Sequence, residues 1–71
     1  MTKTIKSTNT NGYHIYMEYN FCGYPFIEVG ACPIHKDGTC GYPLNKMTYC
    51  IDDGANAKRT YSRYVRKYRD M

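Results

Sequence analysis

The sequence contains no tryptophan, only two histidines, and no apolar run approaching the roughly 20 residues that span a bilayer. Its first residues, MTKTIKSTNTNG, also lack the apolar middle of a signal peptide. We therefore expect a protein that is made and kept in a cytoplasm. In a reducing compartment its four cysteines are expected to be free thiols or metal ligands. A small secreted domain stapled by disulfides is the alternative.

The short chain also argues against catalysis. With 71 residues it forms one domain, residues 1–71, whose core supplies only a few kcal/mol of stability. A catalytic pocket would take buried volume from that core. His14 and His35 are the histidines available to activate a cysteine, and neither lies in a recognisable catalytic motif. We predict a binding protein with no enzymatic activity and no catalytic residues.

Alternating apolar and polar residues predict a β-sheet region over residues 13–52. The clearest strand is YHIYMEYNF at 13–21, whose odd positions are expected to face the core. Further strands are predicted at PFIEVGA (25–31) and KMTYCID (46–52), with a loop between them. Residues 1–12 form either a flexible lead-in or a short edge strand.

The C-terminal segment 54–70 carries the pattern of an amphipathic helix. Its apolar positions recur at helical spacing at Ala57, Tyr61, Tyr64, Val65 and Tyr68. Asp52 and Asp53 precede it and supply an aspartate for its N-cap. The predicted fold is α+β and two-layered, with a three- or four-stranded antiparallel sheet and this basic helix packed on one face.

The tetrapeptide CGYP occurs twice, at residues 22–25 and 40–43, and a cysteine follows ten positions after each first one, at Cys32 and Cys50. Glycine and proline interrupt strands, so we interpret each copy as a turn that leads into a strand. The tyrosine ring of each copy is expected to cover the end of the sheet. Cys50, inside a predicted strand, is expected to be buried as a small apolar residue.

Cys32 and His35 form a Cys-x-x-His pair shortly before Cys40. This local pattern resembles a zinc knuckle, and the resemblance implies zinc held by Cys32, His35, Cys40 and either Cys22 or Cys50. A second close pair of ligands is missing from the sequence. We predict no cofactor, and a zinc-stabilised binding module is the alternative.

The positive charge is concentrated in the C-terminal segment. The chain has a net charge of +4, and from residue 55 onward six basic residues face a single acidic one. These six are Lys58, Arg59, Arg63, Arg66, Lys67 and Arg69. A cationic surface of this kind attracts phosphates. No defined nucleic-acid-binding motif accompanies it, so the predicted partner is nucleic acid read without base specificity, or an acidic protein surface.

A compact, tyrosine-rich domain without catalytic motifs is similar in size and layout to the small accessory proteins that phages encode to redirect or inhibit host machinery, anti-CRISPR proteins included. The resemblance extends to no motif and assigns no residue. It implies that the partner is nucleic acid or a host protein complex that handles nucleic acid, in the host cytoplasm.

Overall fold

The computed structural model describes residues 2–21 and 23–71. Four antiparallel strands, in the order β1-β2-β3-β4, form one sheet, and a C-terminal helix packs on one of its faces. The elements are β1 (Thr2–Thr10), β2 (Tyr13–Asn20), β3 (Phe26–Pro33), β4 (Asn45–Cys50), a 3-10 turn (Ile51–Asp53) and α1 (Gly54–Arg69). The predicted α+β architecture is confirmed.

Residues 2–12 form an edge strand, β1, and the turn that follows it, which is the second of the two predicted alternatives. Thr10 pairs with Tyr13, and the two residues between them, Asn11 and Gly12, have φ angles of 53° and 82°. Positive φ at both central positions is what a tight hairpin of right-handed twist requires, and Asn-Gly adopts it readily. The turn at Asn11 and Gly12 therefore allows the polar strand β1 to pair with β2.

The alternation in β2 is confirmed on the side that faces α1, where Ile15 and Met17 are buried. The expectation that the intervening positions face water is wrong at Tyr16, which is 9% exposed. Its ring lies across Gly30 of β3, the residue directly opposite in the register. A glycine leaves room for an aromatic ring to lie flat on the neighbouring strand.

The boundaries of β3 and β4 differ from the predicted ones. β3 continues to Pro33, so Cys32 belongs to a strand and not to the loop, because it pairs with His14 of β2. β4 ends earlier, at Cys50, and Ile51 lies in the 3-10 turn. The two aspartates that follow have low strand propensity, which explains the early end of β4.

The core lies between α1 and the middle of the sheet, where Ala57, Tyr61 and Tyr68 are buried against β2 and β3. Tyr64 and Val65, predicted to be equally inward, are only partly buried. Asp53 occupies the N-cap position as predicted, but its carboxylate accepts a hydrogen bond from the Asn56 side chain, at 2.8 Å, and caps no backbone N–H. Within the described residues, no helix is long and apolar enough to cross a membrane.

Candidate nucleic-acid interface

The outer surface of α1 carries the basic residues that the sequence singled out. Ala57, Tyr61 and Tyr68 bury one side of the helix against the sheet, so the exposed residues of α1 lie on its other side. All six basic side chains are exposed: Lys58, Arg59, Arg63, Arg66, Lys67 and Arg69. We call this set the cationic face.

Few acidic groups neutralise the cationic face. In the part of the chain that the structure describes, the one ion pair joins Arg69 Nε to Asp70 Oδ1 at 3.1 Å, and both side chains are exposed. Such a surface pair contributes little to stability and is easily exchanged for another anion. No described carboxylate lies within salt-bridge distance of Arg63 or Arg66. Their guanidinium groups therefore retain their hydrogen-bonding capacity for a ligand.

The middle of the cationic face is slightly concave. Lys58, Arg59, Ser62, Arg63 and Arg66 line one shallow depression there. Guanidinium groups bind phosphate or carboxylate through paired hydrogen bonds, and a serine hydroxyl both donates and accepts. The arrangement suits an extended anionic surface. It is too open to enclose a small molecule, which usually needs a deep pocket.

Acidic residues gather on the opposite side of the molecule, on the sheet face that α1 leaves uncovered. Glu18 of β2 and Glu28 of β3 are directly opposite each other in the register. Burial, followed by the repulsion from Glu28, raises the pKa of Glu18. Tyr16 donates a hydrogen bond to Glu28 at 2.7 Å, and burial together with this bond raises the pKa of Tyr16. Sequence reasoning missed this cluster because only the strand register brings its members together.

The two CGYP tyrosines do not cover the ends of the sheet, contrary to the prediction. Tyr24 and Tyr42 are 94% and 93% exposed, at opposite ends of β3. Their turns also differ, since Gly23 has a φ of 78°, whereas Gly41 is needed for close approach of a side chain. A Cβ added at Gly41 would lie 2.9 Å from His35 Nε2. Residues 23–25 and 41–43 of the two copies thus form unrelated turns.

The described candidates for zinc ligands, Cys32, His35, Cys40 and Cys50, do not line one common site. Cys32 and Cys40 line one depression, while His35 lines a different one on the other side of Cys40. Among residues 2–21 and 23–71, no group of three or more His, Cys, Asp or Glu residues is placed to hold a metal ion. Cys22, a candidate fourth ligand, lies outside the described residues. The absence of a cofactor stays a prediction.

The described cysteines are free thiols in contrasting environments. Cys50 is exposed, so the expectation that it is buried is wrong: β4 is an edge strand and its side chain projects from the uncovered face. Cys32 is buried, and its thiol donates to the carbonyl oxygen of His14 at 3.7 Å. Burial, with a smaller effect from a hydrogen bond to Cys40, raises the pKa of Cys32 to about 11.

We expect Cys32 to react with an alkylating reagent at neutral pH at least about tenfold more slowly than Cys40 and Cys50, because the thiolate is the reactive form and burial also blocks access. Peptide mapping of the folded protein after short exposure to the reagent measures each rate. A chelator should leave all the rates unchanged. Protection of both Cys32 and Cys40 that the chelator removes would instead indicate bound zinc.

No protein-family model matches this sequence, and neither curated proteins nor solved structures give a significant match. The assignment of a site therefore depends on the geometry of this chain alone. Among the described residues, the six basic side chains of the cationic face lie on one surface, whereas the predicted zinc ligands do not line one site.

Proposed function

We propose that this is a small non-enzymatic interaction protein that binds nucleic acid, without regard to base sequence, through the cationic face of α1. One observation carries the proposal: the face is exposed and almost uniformly positive, and its central arginines have no carboxylate partner among the described residues. A helix whose outer surface is merely solvated normally interleaves Glu with Lys at four-residue spacing. From Gly54 to Arg69, α1 contains no acidic residue.

The spacing of the arginines suits a phosphate backbone. Arg59, Arg63 and Arg66 are separated by four and three residues, which places them on one side of α1. At 1.5 Å per residue they extend over about 10 Å of the helix axis. The phosphates of one strand of a duplex repeat every ~3.4 Å along its axis, so the three guanidinium groups reach several phosphates at once.

Separation of charge within the molecule supports the same proposal. Glu18 and Glu28 lie on the uncovered face of the sheet, with the sheet between them and α1. A polyanion that approaches the outer side of α1 therefore meets the positive residues, and the carboxylates of Glu18 and Glu28 lie behind the sheet. The proposed setting is a cytoplasm, where a phage-type accessory protein of this kind would modulate or inhibit a host complex that handles nucleic acid.

We predict that Arg59→Gln, Arg63→Gln and Arg66→Gln each weaken binding to mixed-sequence RNA and duplex DNA by a similar factor, whatever the base sequence. The slope of log affinity against log salt should become shallower by about one for each phosphate that the variant no longer neutralises. Salt titrations of the wild type and the three variants, followed by fluorescence anisotropy of labelled oligonucleotides, measure both quantities.

Lys36→Gln provides a matched control. Lys36 is exposed in the connection between β3 and β4, so its replacement removes one positive charge away from the cationic face. Its effect on the slope should be much smaller. Absence of any binding at about 50 mM salt would disprove the nucleic-acid proposal, because non-specific association is favoured there. Dominance of one or two arginines in binding an acidic protein would identify the other predicted class of partner.

A further inference from the structure

The two edges of the sheet are built differently. The β1 edge is interrupted by an irregularity between Thr4 and Lys6, where its register with β2 shifts. It also carries Lys3 and Lys6 among threonines, serine and asparagine. Bulges and lysines are the devices by which native sheets prevent another strand from pairing with an edge. The β1 edge is therefore protected.

The β4 edge has neither a bulge nor a proline. Its register with β3 is regular from Asn45 to Cys50, and no described strand pairs with its outer side. Seven large hydrophobic side chains are exposed in the described residues, and three of them, Leu44, Met47 and Ile51, lie in β4 or next to its ends. A regular edge with apolar surroundings is a surface on which a further strand can pair.

Met47 shows that the apolar layer beneath α1 is left uncovered at the β4 edge. It is opposite Val29 of β3, which is fully buried, so Met47 points to the face that α1 covers. It is nevertheless 47% exposed, because β4 lies at the margin of the helix. Ile51, also exposed, follows directly after the strand. An additional strand at this edge would extend the apolar layer beneath α1 and cover both side chains.

The charges around β4 favour antiparallel pairing with a second copy of the same strand. Lys46 lies near the start of β4, and Asp52 and Asp53 follow its end. If a second β4 pairs antiparallel, the basic start of each strand meets the acidic end of the other, and this happens twice by symmetry. Parallel pairing would bring like charges together. The edge is therefore complementary to a copy of itself.

We propose that β4 pairs antiparallel with β4 of a second copy of this chain, about a two-fold axis perpendicular to the sheet that passes midway between the two Tyr49 residues. In this register residues 48–50 of the two strands pair with each other. Lys46 and Met47 then lie beside the 3-10 turn of the other copy, near its Asp52 and Ile51. The four-stranded sheet becomes a continuous eight-stranded one. The axis preserves the two faces, so both α1 helices lie on the same side. This proposal is independent of the proposed binding to nucleic acid.

The interface is small, because only residues 48–50 of each six-residue strand pair, so the dimer should dissociate on dilution. We expect sedimentation equilibrium between about 10 µM and about 1 mM to show a mass rising from 8.3 kDa towards twice that value. Lys46→Glu should raise the dimer dissociation constant by roughly tenfold, because two attractive pairs become repulsive. The double variant Lys46→Glu/Asp52→Lys should restore much of the loss.

Lys36→Glu is the control for net charge, since Lys36 is exposed and lies away from β4. It should leave the dissociation constant almost unchanged. If the protein stays monomeric at about 1 mM, the proposal that a second copy pairs with the β4 edge is wrong. An equal effect of Lys46→Glu and Lys36→Glu would also overturn the proposed pairing.

A cross-link tests the register directly. Thr48 of one copy and Cys50 of the other are opposite each other when the axis passes between the two Tyr49 residues, and opposed residues of adjacent strands lie within disulfide range. Thr48→Cys should therefore give a covalent dimer under oxidised glutathione, with the new thiol bonded to Cys50 in peptide maps. Ser7→Cys, on the exposed β1 edge, should not enrich this species. A dimer linked only through other cysteines would refute the register.

Discussion

Replacing Tyr68 by alanine is expected to destabilise the domain by about 4 kcal/mol, within the range measured when large aromatic side chains are truncated in protein cores. Tyr68 is 2% exposed, and its ring lies 4.7 Å from that of Tyr13, centroid to centroid. Its hydroxyl also accepts a hydrogen bond from the side-chain amide of Asn45. The substitution therefore removes the packing against β2 and the hydrogen bond to β4 together.

The destabilisation caused by Tyr68→Ala should be close to the whole free energy of unfolding of the protein. A domain of this length is stable by several kcal/mol, of the order of 0.1 kcal/mol per residue. Tyr68 also lies where the C-terminus of α1 meets the β1–β2 turn, since the Asn11 side chain donates to the carbonyl oxygen of Tyr68 at 3.2 Å. Loss of the ring should release the end of α1 from this turn. Far-UV circular dichroism during urea unfolding is the appropriate measurement, because the chain contains no tryptophan for fluorescence.

Two variants separate the contributions of ring and hydroxyl. Tyr68→Phe keeps the ring and should cost only about 1 kcal/mol, the typical net value of one hydrogen bond. Tyr64→Ala should cost clearly less than Tyr68→Ala, because Tyr64 is partly exposed. The sequence pattern alone predicts about 3 kcal/mol for Tyr64→Ala, since helical spacing makes the tyrosines equivalent. Equal losses for Tyr64→Ala and Tyr68→Ala would contradict the observed packing.

Replacing Gly30 by alanine should cost about 2 kcal/mol, as is typical when a group is inserted into a filled space. A Cβ at Gly30 would lie 2.8 Å from Cε1 of Tyr16 and still closer to the phenol oxygen. The ring must therefore leave its place on β3 and give up its hydrogen bond to Glu28. The midpoint of urea unfolding measures this loss.

A second measurement on Gly30→Ala shows whether the loss of stability comes from displacement of the Tyr16 ring or from a general destabilisation of the fold. Burial and the bond to Glu28 raise the pKa of Tyr16, so this phenol resists ionisation in the folded wild type. In the variant Tyr16 should ionise at lower pH, as measured by the ultraviolet absorbance of tyrosinate. Gly54→Ala is the matched control, since Gly54 has helical φ and ψ and an added Cβ would lie 4.0 Å from its nearest neighbour, Ile27 Cδ1. It should be neutral or slightly stabilising.

Features that depend on local pattern were predictable from the sequence. The alternation around Ile15 and Met17 identified β2, and the stripe through Tyr61 and Tyr68 identified α1, because burial of one face imposes a period on the chain. The exposed cationic face followed from the same helical spacing. It required no knowledge of strand order.

Features that depend on which strands are neighbours were not predictable. The burial of Tyr16 requires Gly30 opposite it, and the repulsion between Glu18 and Glu28 requires the same register. The buried hydroxyl of Thr60 is hydrogen-bonded to that of Tyr49, a partner eleven positions away on another element. A strand pattern gives the face of each residue but not the residue across from it.

The sequence by itself determined the fold class, the amphipathic helix and the concentration of positive charge, since each depends on residues close together in the chain. Only the tertiary structure decided which of the described cysteines are exposed and which conformations residues 23–25 and 41–43 adopt. Cys50 is exposed because β4 lies at an edge, and Cys32 is separated from His35 because β3 extends to Pro33. The order of strands and the length of each one are set by packing across the whole domain, which local spacing does not encode.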